Sequence, residues 1–245
     1  MPHPKILFYD IETRPMVAEV WGMRDQNLGL AQIREFGGVI CFAAKWYGKS
    51  KVHFHSDWTD GHEGMLQAMH DLWNEADAVC GYNNDGFDNK YMRGEFVKSG
   101  MEPPPPTASI DLYKVVRQQF RFDSHKLDHV SQLLGIGSKV QHQGHSLWTE
   151  VLDGDQKAQR LMERYNKQDT QLTEKLYKKL RPYIKNHPHL GIGNSEACPA
   201  CGSLNVQRRG YSFTRNFQVQ RLQCRDCAHW YQGRRTKRAV RDVSG

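Results

Sequence analysis

The stretch Lys5-Ile6-Leu7-Phe8-Tyr9-Asp10-Ile11-Glu12-Thr13 reads as a buried strand, apolar and aromatic through Ile11, and yet it carries two acids at its end. Residues two apart on a strand face the same side, so Asp10 and Glu12 point together. Two carboxylates side by side on a core strand repel each other and lose hydration. A bound divalent cation removes both penalties. Alone, Asp-x-Glu also describes an ordinary polar strand end. Three later stretches shift the balance toward a metal site: Gly81-Tyr82-Asn83-Asn84-Asp85-Gly86-Phe87-Asp88, Lys126-Leu127-Asp128-His129 and Tyr165-Asn166-Lys167-Gln168-Asp169.

Around that strand the pattern predicts further strands over 39–47, 51–55, 78–82 and 108–112. It predicts helices over 61–74, 87–96, 112–120, 127–134 and about 155–183. Residues 13–36 have no steady period and read as an irregular excursion with a short helix near 30–34. Residues 137–145 read as a polar loop holding Lys139, His142 and His145. At 245 residues the chain has room for one large α/β domain and a small appendage. No apolar run approaches the roughly 20 residues that span a bilayer, and a carboxylate interrupts the first apolar stretch where a signal peptide would run on. The expected location is therefore the cytoplasm, with no membrane partner.

The formal charge of +7 is unevenly spread. From Cys198 onward there are ten Lys and Arg against Asp226 and Asp242, while the first 197 residues hold 24 basic and 25 acidic side chains. A near-neutral body with a cationic end implies a polyanion partner. Arg208, Arg209, Arg215, Arg221, Arg234 and Arg235 are interleaved with aromatic residues, as suits phosphate contacts beside base stacking. Cys198-Pro199-Ala200-Cys201 and Cys224-Arg225-Asp226-Cys227 are two CxxC pairs at the spacing of a structural four-cysteine zinc site. About 30 residues bury too little core to fold alone, so one Zn²⁺ supplies folding energy. The expected division is 1–185 for the large domain, 186–196 for a linker rich in Pro and Gly, 197–235 for the cysteine module and 236–245 for a basic tail.

Tyr165 and Asp169, four apart on a helix, share a face. Brought to the end of the first strand, Asp169 and Asp88 join Asp10 and Glu12. Four carboxylates with few local cations suit two Mg²⁺ or Mn²⁺ ions, the clamp of phosphodiester hydrolysis, and the Tyr165 hydroxyl is suited to orient the attacking water.

Asp10-Ile11-Glu12-Thr13, Gly81-Tyr82-Asn83-x-x-x-Phe87-Asp88 and Tyr165-x-x-x-Asp169 together resemble the three motifs of the DnaQ-like, or DEDD, 3′–5′ exonucleases. They match the tyrosine variety found in the proofreading domains of family A and B polymerases. The overall likeness is to single-domain exonucleases encoded by bacteriophages, in which case the location becomes the host cytoplasm. The resemblance covers 5–184 and implies a ribonuclease H-like fold, an α/β mixed sheet flanked by helices. It implies Asp10, Glu12 and Asp169 around one metal, with Asp10 and, through water, Asp88 at the other. It places Asn83 toward the terminal nucleotide or in support of the site. The cysteine module resembles zinc ribbons. The expected function is a two-metal-ion 3′–5′ exonuclease acting on single-stranded or 3′-ended DNA that the ribbon holds. One alternative is a structure-specific endonuclease on flapped or branched DNA using the same site. Another is a non-enzymatic nucleic-acid binding or recruitment protein with a vestigial site. The ribbon itself has an alternative role, docking on a replication or recombination protein.

Overall fold

A computed structural model describes residues 5–24, 27–185, 187–189, 191, 193–194 and 196–237. Arg238 and Arg241 of the expected tail, and part of the expected linker, lie outside the described residues. The chain divides into two compact units, one over Lys5–Leu176 and one from Tyr177 onward. Among the described residues no helix is long and apolar enough to cross a membrane.

In the first unit β1 (Ile6–Arg14) leads through a short hairpin, β2 (Val17–Ala18) and β3 (Ile33–Glu35), to β4 (Gly38–Trp46) and β5 (Val52–Ser56). Then follow α1 (Asp57–Asn74), β6 (Ala78–Gly81), α2 (Asp88–Lys98), β7 (Ala108–Asp111), α3 (Leu112–Gln119), α4 (Leu127–Leu133), α5 (His145–Leu152) and α6 (Gln156–Leu180). The five-stranded sheet has the order β5-β4-β1-β6-β7, with β1 at its centre. β4 lies antiparallel to both β1 and β5, whereas β6 is parallel to β1 and to β7. A mixed sheet flanked by helices is the architecture that the motif resemblance implies.

The alternation of β1 decides where its acids go. Leu7, Tyr9 and Ile11 pack with Met65, Leu66, Met69 and Trp73 of α1 and Met92 and Phe96 of α2. Each such buried side chain contributes about 1.5–3 kcal/mol, enough together to fix the register of the strand. Asp10 and Glu12, one step out of phase, face the opposite side. There Ile40 and Cys41 of β4 pack against Leu147 and Val151 of α5 and Ala158, Met162 and Tyr165 of α6. Thr170 of α6 donates to the carbonyl of Ala43 at 3.2 Å, pinning the helix to β4. Lys45 and Glu174 form a buried ion pair, and Glu174 also accepts from the backbone of Gly48 at 3.0 Å.

Three elements differ from the expectation. α1 adds a turn from Asp57 before the helix expected over 61–74, and Gly61, non-helical at φ 71° and ψ 161°, kinks the chain between the two. The excursion holds a hairpin, and its helical part is one 3-10 turn at Leu30–Gln32. α5 follows directly on the loop over 137–144, its Leu147 and Val151 four apart and buried.

The second unit carries a three-stranded antiparallel meander of β8 (Val206–Phe213), β9 (Phe217–Cys224) and β10 (Trp230–Lys237), in the order β10-β9-β8. The sequence pattern implies two short paired strands there, over 205–209 and 217–222. β10 has a Gly, two Arg and a Lys in eight residues and gives no strand signal, and it pairs with β9 from Gln223 to Phe217, carrying the module two residues past its expected end at 235.

Candidate active site

The acids converge where β1 and β6 end. Asp88 is the first residue of α2, and its Oδ1 accepts from the backbone N–H of Ile11 at 3.2 Å, next to Asp10. A polar network sets the start of α2. Tyr9 hydroxyl bonds Asn89 Oδ1, and Asn89 Nδ2 donates to Asp85 at 3.1 Å and to Ser109 Oγ at 3.1 Å. A Cβ at Gly86 would push aside the Asn83 amide, 2.7 Å away, while at Gly81 it would meet the fixed Cβ of Asn84 at 2.6 Å, so the close approach at the end of β6 is the one that needs glycine. Asn83 itself takes a left-handed φ of 67°, with its N–H held by Asp111 Oδ1 at 2.9 Å. Asp111 caps α3 as well, accepting from the backbone of Tyr113 at 3.0 Å.

From the other side α6 presents Tyr165, Asn166 and Asp169. Asn166 is fully buried, and its Nδ2 donates to Asp10 Oδ2 at 2.7 Å and to the Asp10 carbonyl at 3.1 Å. Asp169 is 1% exposed, and its Oδ1 has no hydrogen-bond partner among the described residues. Its Oδ2 accepts from Lys139 Nζ at 2.5 Å, and the same ammonium lies 3.2 Å from the Tyr165 hydroxyl. The Lys139 backbone donates to Asp128 at 2.7 Å, so the short α4 anchors the loop that delivers the lysine. His142 sets its ring edge-on against Tyr165, with centroids 4.8 Å apart.

The electrostatics follow from crowding. Burial, then the charges of Asp169, Glu12 and Asp88, push the Asp10 carboxyl well above its ordinary range. Burial and Asp169 raise Glu12 to about 8. Asp88 rises to about 7, because burial outweighs the N–H groups of its own residue and of Ile11. Burial also raises Asp169, against the pull of Lys139. Burial lowers the Lys139 ammonium, but Asp169 and Tyr165 outweigh that and hold it above the usual lysine range. Burial with Glu12 and Asp169 keeps the Tyr165 phenol protonated. Four carboxylates that resist ionising side by side, one with an orphaned buried oxygen, fit hard divalent cations with all-oxygen ligands.

Asp10 opens onto a cleft of about 940 Å³ bounded also by Tyr82, Asn83, Tyr113, Lys139 and Tyr165, a volume in the range of small-ligand sites, with Glu12, Asp88 and Asp169 buried behind it. Asp10, Glu12, Asp88, Tyr165 and Asp169 are thus brought to one place, with Asn83 exposed on the cleft wall. Sequence reasoning left Asn166 and Asp111 without a role and Lys139 undecided. A neighbour of a motif residue has no pattern of its own, and a loop lysine looks like any solvated cation until the fold aims it.

The second unit gathers its cysteines. Sγ of Cys198 lies 3.6 Å from Sγ of Cys227, and Cys201 lies 3.6 Å from Cys224. All four sulfurs fall within 4.8 Å of one another. Four thiolates about 2.3 Å from a tetrahedral centre stand roughly 3.8 Å apart, so this cluster fits one zinc ion. All six arginines singled out from sequence are exposed. Arg221 pairs across with Gln232, and Arg235 with Val219, which places both on the face of β9 that carries Phe217 and Gln223. Arg235 stacks on Phe217 at 3.6 Å, and Arg209 bonds Gln223 and lies over Trp230. Arg208 pairs with Leu222 and faces the other way, Arg215 sits in the β8–β9 turn, and Arg234 lies in a register shift of β10.

A comparison with curated proteins found no match. Among solved structures the chain is similar to the family B DNA polymerase of the hyperthermophilic archaeon Pyrobaculum calidifontis, at 19% identity and a TM-score of 0.56. The likeness covers 81% of this chain but only 26% of the polymerase chain, and at that identity it speaks for the fold alone. A family model described as RNase H superfamily matches residues 7–181, from the first strand through the last helix of the carboxylate-bearing unit. The chain belongs to the RNase H superfamily.

Proposed function

We propose that the chain is a metal-dependent 3′–5′ exonuclease of the DnaQ-like, tyrosine-bearing kind, similar to phage-encoded enzymes and acting on DNA in the cytoplasm. The observation that carries this reading is the crowding of Glu12, Asp88 and Asp169 around Asp10, which with Tyr165 lines one open cleft. Asp10, Glu12 and Asp169 would hold one Mg²⁺ or Mn²⁺ and Asp10 with, through water, Asp88 a second; such ions would supply charge to the phosphodiester and acidity to water. The chain's own groups supply position. Asn166 fixes the rotamer of Asp10, and the Ile11 N–H fixes that of Asp88. Tyr165, kept protonated, offers a hydroxyl that orients the attacking water without itself binding metal. Asn83, on the cleft wall, would face the terminal nucleotide or support the site.

In this reading residues 1–185 carry the chemistry and 186–196 link them to a zinc ribbon over 197–235, with 236–245 as a basic tail. The ribbon holds DNA through Arg209, Arg221 and Arg235 beside Phe217 and Trp230, helped by Arg208, Arg215 and Arg234. Binding of a long oligonucleotide should weaken with salt, and Arg234→Ala with Arg235→Ala should flatten that dependence. Unchanged curves would move the ribbon to docking on a replication or recombination protein. For the chemistry, a 5′-labelled single strand should shorten from its 3′ end to mononucleotides in Mg²⁺ or Mn²⁺, and a closed circle should stay intact. A circle cut as fast as a linear strand would make the enzyme an endonuclease. No hydrolysis in any divalent metal would leave a binding protein.

A further inference from the structure

The catalytic cleft does not end at its wall. A second groove of about 520 Å³ adjoins it and shares Asn83 and Tyr113 with it. Lys90 from α2 and Lys114 and Arg117 from α3 line this groove, with Asp85 as its acid. Asp85 is already matched, since its Oδ2 accepts from Lys114 at 2.6 Å and its Oδ1 from Ser109 Oγ at 2.5 Å. Lys90 and Arg117 are exposed and have no carboxylate partner among the described residues. Arg117 rests over the Tyr113 ring at 5.6 Å, and Tyr113 meets Tyr82 edge-on at 5.7 Å. Tyr82 is tied down by its hydroxyl to the His125 carbonyl.

We infer that a single-stranded polynucleotide whose 3′ end lies over the carboxylates continues past Asn83 and Tyr113 into this groove, where Lys90 and Arg117 hold phosphates upstream of the scissile one. The inference rests on the nuclease reading and extends it to the path of the strand. Two surplus cations beside a half-buried tyrosine match a backbone with bases attached. An acidic peptide would offer the cations carboxylates but would bring no bases to lie beside Tyr113. The near-neutral total of the first 197 residues hides this local surplus, because net charge says nothing about where the charges sit. The grip on substrate is thereby shared between the ribbon and the unit that carries the acids.

The full-length protein is tested with oligonucleotides of two to eight residues, wild type against the Lys90→Ala, Arg117→Ala double variant. Both side chains are exposed, and circular dichroism checks the fold. In Mg²⁺ the wild-type kcat/KM should rise with length. The double variant should lose about tenfold on the octanucleotide and less on the dinucleotide, because two phosphate contacts go. A single neutral methylphosphonate placed upstream of the 3′ end should slow the wild type at one or two positions and leave the variant indifferent there. Equal length dependence in both proteins overturns the groove while leaving the nuclease reading intact. Without divalent metal, an oligonucleotide carrying 5-iodouracil should photocross-link to Tyr113, and the yield should fall in the variant. If that holds but no oligonucleotide is hydrolysed in any metal, the strand path stands and the nuclease reading fails. No cross-link at Tyr113, or one that the variant does not reduce, overturns the path.

Discussion

Both units of the molecule gather four side chains that repel one another once ionised, but they do so with different means. The carboxylates stand on a sheet and helices whose apolar core is complete without them, from Leu7 and Tyr9 through Trp73 and Phe96. The cysteines are themselves the core of their unit, packed with Ala200 and flanked by Val206 and Tyr231. One site is a cost that the fold carries for chemistry, and the other is the reason the fold exists. Removing metal should therefore silence the first unit and unfold the meander of the second.

The largest effect is expected at the thiolates. Cys198→Ser should abolish binding of one zinc ion and melt β8–β10, since structural zinc contributes about 10–16 kcal/mol to such modules. Metal content by mass spectrometry and near-ultraviolet dichroism check it. A strong zinc chelator should reproduce the loss in the wild type and leave the five-stranded sheet folded. A folded meander without metal would erase the contrast between the two units.

The next effect probes the carboxylate-bearing unit away from its site. Glu174→Ala strands the buried Lys45 ammonium and should cost about 3–5 kcal/mol in equilibrium unfolding, whereas a Lys45→Met, Glu174→Leu pair should cost far less. Asp169→Ala should act chiefly on rate. Turnover should fall at least about 10²-fold, close to 2.7 kcal/mol of barrier, while metal-free stability gains from the lost repulsion with Asp10 and Glu12 and loses the Lys139 ion pair. Asp10→Ala, Glu12→Ala and Asp88→Ala should behave alike, and Tyr165→Phe should leave measurable activity. Wild-type turnover in Asp169→Ala would separate the acids from any catalysis.

The same contrast explains what was legible in the sequence. β1 was readable because its alternation and its terminal acids are local, and the parity that aims Asp10 and Glu12 at α6 is a period-two fact. The CxxC pairs were readable because a metal imposes spacing. β10 was hidden, since an edge strand with Gly233, Arg234, Arg235 and Lys237 has no apolar face to announce it. α5 was hidden because eight residues between a glycine loop and a longer helix give only one buried i,i+4 pair. Lys139 and Asn166 act through contacts 30 and 156 residues away in sequence, which no local pattern encodes.

The smallest effect sharpens the comparison from the other side, because the second unit is not held by metal alone. His187 is 9% exposed, with Nδ1 2.8 Å from the Pro188 carbonyl and Nε2 2.8 Å from the Tyr177 hydroxyl. A carbonyl only accepts, so Nδ1 carries the proton and Nε2 accepts from Tyr177. Burial first, with nearby His229 and Arg181 and against the Pro188 carbonyl, lowers His187 to about 4. Unfolded, the ring titrates near about 6.5. Between these values the unfolded chain binds more protons, so the contribution is complete above about 6.5 and drains away as pH falls toward about 4. At pH 5 it should be about 2 kcal/mol below its value at pH 8. Acid also protonates the thiolates and loosens zinc, so the measurement is a difference between wild type and His187→Gln, both loaded with zinc. Zinc release weakens the two proteins alike. The wild type should therefore lose about 2 kcal/mol more between pH 8 and 5 in denaturant unfolding of the second unit. Carbon-detected titration of the His187 ring should show it neutral at pH 5.5. A midpoint near about 6.5 would mean the ring is open to water, and the cysteine cluster would then be left as the main hold on that unit.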